Sequence, residues 1–183
     1  MDTTNEIATV ATPPVARPPV ATPLAAAIAS CAFTVPLALS LSSAPSPNHP
    51  RTMLWYLSLR EPAFKPPDWL FPIAWTGIEA ALAVAAYRLL RATPSAARTK
   101  ALALWGVNIL TIGGWSRLFF KRHQLGVSTA VAAALAVSSV AFVTEARQVD
   151  RKASLAGLPL VGWVAFATVL TGTIWRLNSR RRD

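Results

Sequence analysis

Five long apolar blocks constrain this chain more than any other feature. They cover 24–41, 70–90, 101–120, 127–143 and 155–177, and short polar clusters separate them. A helix needs roughly 20 mostly apolar residues to cross the hydrocarbon core of a bilayer. A soluble chain of 183 residues could carry 53% hydrophobic residues, but it would not gather them into blocks of this length. The blocks are continuous and rich in Ala rather than alternating, which favours helices over barrel strands. They predict an all-α integral membrane protein, a five-transmembrane-helix bundle with its termini on opposite sides.

The net charge of +10 does not point to nucleic acid. Lys and Arg stand between the blocks and in the tail, where they hold loops outside the bilayer and meet anionic headgroups. They divide almost evenly between the two ends of the bundle, so the positive-inside bias is weak; the basic tail Arg180-Arg181-Arg182 favours a cytosolic C-terminus. Membrane lipid is the first partner implied. The single Cys31 cannot close an internal disulfide and reads as a small packing residue.

Residues 1–23 hold repeated Pro steps that remove backbone donors, so they read as a disordered or extended tail. A membrane domain follows over 24–178, then a basic tail over 179–183. A secretory signal ending at Ser42-Ser43-Ala44 is the rival reading of the first block, opposed by the long preceding region with Asp2 and Glu6. Pro36 is a candidate kink. Small residues mark close helix packing in lipid. Ala130, Ala134 and Ser138 form one such row, and Gly106, Gly113, Gly114, Gly157, Gly162 and Gly172 add further positions.

Between the first two blocks lies a Pro- and aromatic-rich segment holding Trp55, Tyr56, Pro62, Phe64, Pro66, Pro67 and Trp69. Two readings compete: an aromatic belt at headgroup level, or a stiff lid over a cavity. On the second block Trp75 and Glu79 are four apart and share a face. On the fifth, Trp163, Phe166, Ala167 and Leu170 follow helical spacing. Such stripes suit packing as well as ligand binding. A carboxylate inside a span is costly and marks function by default; Glu79 would face a cavity, pair with a cation such as Arg117, or be protonated. A neutral glutamate without ligand is the alternative. His49 and His123 lie outside the blocks, and neither a metal-spaced His/Cys set, a phosphate loop nor a nucleophile triad is visible, so no metal, cofactor or catalytic residue is predicted.

Three segments carry a family resemblance. Trp55-Tyr56 through Pro66-Pro67-Asp68-Trp69, then Phe71-Pro72 and Trp75-Thr76, resemble the TspO/MBR signature W-Y-x-x-L-x-K-P-x-[WF]-x-P-P-x-W followed by F-P-x-x-W-T. Trp115-Ser116-Arg117-Leu118-Phe119-Phe120 is similar to that family's W-S-x-L-F-F. Pro159, Trp163, Phe166-Ala167, Leu170 and Leu177-Asn178 resemble its last segment. The chain departs from the pattern at Glu61, Glu79, Asn108, Ile112, Leu160 and Thr171, which bears on ligand choice more than on fold. The resemblance implies a receptor or transport-regulatory protein that binds porphyrin (tetrapyrrole) or related hydrophobic molecules between its helices, as a homodimer, in a bacterial cell membrane or the mitochondrial outer membrane. It implies ligand contacts from Trp55, Phe64, Pro66, Pro67, Phe71, Trp75, Glu79, Asn108, Trp115, Trp163, Ala167 and Leu170. Two alternatives accompany it: light-dependent porphyrin degradation through Trp75 and Trp163, and a divergent member acting through dimeric membrane contacts.

Overall fold

The structure is a computed structural model that describes residues 19–41 and 49–179. The expected tail before residue 19, the Ser42-Ser43-Ala44 site and the Arg180-Arg181-Arg182 tail lie outside the described residues. Among the described residues six α-helices form: α1 (Thr22–Leu41), α2 (Pro50–Leu57), α3 (Leu70–Arg91), α4 (Ala96–Ser116), α5 (Leu125–Val149) and α6 (Arg151–Ser179). A π-helical turn, Arg117–Lys121, extends α4. The five long helices close a ring in which α1 packs on α3 and α4, α3 on α6, α6 on α5, and α5 on α4.

Among the described residues three helices, α3, α5 and α6, are long and apolar enough to cross a membrane; α1 adds a shorter apolar stretch, Thr22–Ala38. α4 is 21 residues, about 31 Å of helix, but it starts with Arg98 and Lys100 in its first turns. The helix count exceeds the five expected because the Pro-rich segment contains α2. Pro50 sits at the start of that helix, where its missing N–H costs nothing, and the eight residues are too short to span.

Helix ends also run past the apolar blocks. α4 begins at Ala96 because the Ser95 hydroxyl accepts a hydrogen bond from the Arg98 N–H (3.1 Å), capping the helix five residues before the apolar run. α5 continues through Glu145 and Arg147, and α6 starts at Arg151. Polarity ends the lipid-facing stretch, whereas the hydrogen-bond ladder ends only where it finds a cap.

Charged caps tie this end of the ring together. Asp150 accepts from the backbone N–H of Lys152 and Ala153, capping α6, and from the Arg88 guanidinium of α3 at 2.7 and 3.1 Å. Burial works against its charge, but the Arg88 bonds and the two backbone donors prevail and hold the carboxyl below its ordinary range. Arg98 donates to the carbonyls of Leu89 and Leu90 at the C-terminus of α3, where a cation suits the helix dipole. Residues 19–21, assigned to the tail from sequence, are bound here: Val20 donates to the Leu90 carbonyl and accepts from Arg91.

The half of the bundle nearest these caps is filled by Ile78, Leu82, Leu89, Ile109, Phe142 and Leu160. Trp105 belongs to it, buried and donating its indole N–H to the Leu82 carbonyl (3.1 Å). Gly157 is where the smallest residue is required: a Cβ there would lie 2.7 Å from Phe142 and 2.9 Å from Val143, so α5 and α6 meet at this point. By contrast Gly106, Gly114 and Gly162 face open space. Ala130 and Ala134 of the small-residue row are exposed, whereas Ser138 is partly buried; the inward face of α5 is Ser128, Ala132, Leu135, Ser139 and Phe142.

Candidate functional site

The other half of the bundle is not filled. Its helices surround a cavity of about 520 Å³, closed on one side by the segment between α1 and α3. On α3, residues Phe71, Trp75 and Glu79 follow one another at four-residue spacing and face it. On α6 the stripe is Trp163, Ala167, Leu170, Thr171 and Ile174. α4 and its π turn supply Ile112, Trp115, Ser116, Phe119 and Phe120; α5 supplies Ala132 and Leu135; α1 supplies Pro36 and Leu37.

Aromatic rings form two walls. Trp163 stands edge-to-face with Phe71 (centroids 5.7 Å, 73°) and Trp75 (6.3 Å, 81°), and tilts against Phe166. On α4 and its π turn, Trp115 stacks on Phe119 at 4.9 Å and its indole N–H donates to the Ser128 carbonyl (2.9 Å). With that N–H satisfied, Trp115 presents a polarisable face at no polar cost.

The roof is polar. Lys65 places its ammonium 2.6 Å from both Glu61 and Asp68, and 4.8 Å over the Tyr56 ring; the Tyr56 hydroxyl donates to Asp68 (3.0 Å). Only 9% of the Lys65 side chain is exposed. Burial pushes the Tyr56 phenol up to about 12 against the opposing pull of Lys65. Burial also disfavours the Lys65 ammonium, but Asp68, Glu61 and Tyr56 outweigh it and hold its pKa above the usual lysine range. Asn178, near the end of α6, clamps this roof: it accepts from the Arg60 N–H and donates to the Arg60 carbonyl, both at 3.0 Å, as a neighbouring strand would.

Of the residues predicted from sequence, Phe71, Trp75, Glu79, Trp115, Trp163, Ala167 and Leu170 line the cavity, whereas Trp55, Phe64, Pro66, Pro67 and Asn108 do not. Trp55 stacks on His123 at 3.9 Å and meets Phe119 edge-on, buttressing the roof from α2. Phe64 is half exposed. Pro66 and Pro67 shape the descent into α3, with the Pro67 carbonyl accepting from the Leu70 N–H. Asn108 is fully buried one turn below Ile112, which takes the cavity position on α4. Glu79 makes no ion pair among the described residues, and the expected partner Arg117 is exposed on the outer face of the bundle. It lies two turns, about 12 Å, along α3 from Phe71 and so stands at the far end of the cavity from the roof.

Sequence reasoning missed Lys65 and Asp68 as cavity residues. A signal was present: Glu61, Lys65 and Asp68 are spaced by four and three, the separations at which opposite charges meet on one turn. Among the described residues no group of His, Cys, Asp or Glu could hold a metal ion.

Comparison with known proteins agrees with this architecture. The TspO/MBR family model matches residues 27–176. "Protein CrtK" of Rhodobacter capsulatus is 34% identical over 125 residues, 68% of this chain and 78% of the relative. The "Tryptophan-rich sensory protein" of Cereibacter sphaeroides is 29% identical over 129 residues, covering 70% and 80% of the two chains. The human "Translocator protein" is 26% identical over 136 residues, covering 71% and 78%.

Proposed function

The chain belongs to the TspO/MBR family of membrane proteins, and on that premise we propose that it is a receptor whose helix-lined cavity holds a flat, largely apolar ligand of the tetrapyrrole class. The observation that carries this reading is the pair of aromatic walls facing one space of about 520 Å³. That volume is in the range of small-molecule sites, and a lining rich in indole and phenyl rings suits a planar macrocycle. All five long helices cross the bilayer in this proposal, α4 included, because its polar first turns lie at the capped end and its remaining length is apolar. The homodimer is part of the same proposal; Ala103 and Gly106 on the outer face of α4 allow a second copy to approach closely.

The two ends of the cavity set orientation. At the roof, Lys65 is already shared between two carboxylates, so it offers little to an anionic substituent. At the far end Glu79 offers an acceptor. A ligand with an N–H donor directed at Glu79 and its polar substituents away from the apolar walls fits both.

The test is a titration of the detergent-solubilised protein with protoporphyrin IX, following tryptophan quenching and the porphyrin absorbance band. Saturable quenching at one porphyrin per chain is expected. Linear, unsaturable quenching would overturn the reading. Loss of the bound porphyrin's absorbance under illumination, beyond that of free porphyrin, would assign degradation rather than reception. Crosslinking in liposomes checks the dimer, and cysteine labelling of the two tails in a Cys31→Ala background checks that they lie on opposite sides.

A further inference from the structure

A second depression opens on the outer face of the bundle, where the end of α4 meets α5, and its polar rim is made by Arg117 and Arg122. The π turn brings these two together. In an α-helix, residues five apart point about 140° away from each other. Here the Arg122 N–H donates to the Arg117 carbonyl at 3.0 Å, the wider i to i+5 closure, and both side chains reach the same depression. Neither guanidinium has an ion pair with any described residue, so the described residues leave this positive charge unbalanced.

Beneath the rim the depression is apolar. Gly114, Leu118 and Val131 form its sides, and Gly114 leaves open space where a Cβ would stand. The one hydroxyl there, Thr111, is spent on the Val107 carbonyl at 2.8 Å. Two uncompensated guanidiniums above a hydrocarbon-lined slot, at the end of a membrane helix, match an amphiphile with an anionic head. We propose that this is a binding site for an anionic phospholipid. The phosphate bridges Arg117 and Arg122, for which the planar guanidinium fork is suited, and one acyl chain runs down the slot past Gly114 and Val131. Trp115 borders both this depression and the central cavity. The two sites therefore share one residue, and the lipid site stands whatever ligand the cavity takes.

Native mass spectrometry of the full chain in detergent tests this, with phosphatidylglycerol and phosphatidylcholine of identical chains added in turn. The wild type should retain phosphatidylglycerol about thirtyfold better, the effect of two basic residues on an acidic headgroup. The R117Q/R122Q variant should retain both lipids equally. R147Q/R151Q, which removes two exposed arginines from the opposite end, should keep the preference. Gly114→Leu keeps both charges but fills the slot, and should cut phosphatidylglycerol retention; it also serves if the double arginine variant does not fold. Equal retention of the two lipids by the wild type, or a preference that survives in R117Q/R122Q, would overturn the proposal. So would displacement by inorganic phosphate together with unchanged retention in Gly114→Leu, which would assign the arginines to a free anion.

Discussion

Trp163→Ala is the perturbation that bears most directly on the cavity. The indole touches Phe71, Trp75 and Phe166 at ring separations of 5.6 to 6.3 Å, and it lines the cavity. Removing it deletes one wall of the ligand site. An aromatic pair contributes about 0.5–1.5 kcal/mol beyond burial, so loss of one ligand-stacking surface should cost about 1 kcal/mol of binding. That corresponds to roughly a fivefold rise in Kd for protoporphyrin IX, read from the midpoint of the porphyrin absorbance change. The same substitution removes three ring contacts within the protein, so helicity and thermal midpoint must be measured alongside. Trp69→Ala is the matched control: Trp69 is 63% exposed and lies outside the cavity, and its loss should leave Kd within about twofold. Trp105→Ala cannot serve, because a buried Trp with a satisfied indole N–H costs about 3–5 kcal/mol to truncate and would damage the bundle. Equal Kd for Trp163→Ala and the wild type, or equal losses in Trp163→Ala and Trp69→Ala, would refute the assignment of the aromatic wall.

Three other outcomes follow from specific contacts. Asn178→Ala removes both hydrogen bonds to Arg60 and should loosen the roof by about 1–2 kcal/mol, seen as faster porphyrin dissociation and faster proteolysis near Arg60; unchanged rates would mean the clamp is idle. Asp150→Asn keeps a side-chain cap for α6 but breaks the ion pair with Arg88. Because the folded carboxyl titrates below its ordinary 3.8, its stabilisation is present above that pH and disappears as pH falls through the folded value. The variant should therefore melt lower at pH 7, by about 1–3 kcal/mol, and converge on the wild type in acid; an equal deficit at all pH values would contradict this. Gly157→Ala should destabilise by about 1–3 kcal/mol in detergent unfolding, since its Cβ would overlap Phe142, while Gly162→Ala, facing open space, should be nearly neutral.

The aromatic stripes were legible because helical spacing alone brings Phe71, Trp75 and Glu79, or Trp163, Ala167 and Leu170, onto one face each. Which cavity they share was not, since that depends on α3 packing against α6 across the sequence distance between them. Lys65 and Asp68 escaped for a related reason: charged residues in a Pro-rich segment read as solvated, and only the fold of that segment over the ring buries Lys65 and brings Asp68, itself 63% exposed, to the cavity beside it.

By itself the sequence determined that the chain is helical and lives in a membrane, because apolar blocks of this length have no other inexpensive environment, and each block supplies its own backbone hydrogen bonds. It also marked the Pro-rich segment as stiff. The tertiary structure decided which side of each helix faces inward. In a soluble protein hydrophobicity separates inside from outside, but here lipid and bundle core are both apolar, so the pattern is silent. Hence Trp105 lies buried while Trp69 is exposed, and Ala130 and Ala134 face outward while Ala132 faces in. Arg117 belongs to the outer surface because it shares the helical register of Thr111 and Gly114 on α4, and the π turn that starts at Arg117 brings Arg122 round to the same depression.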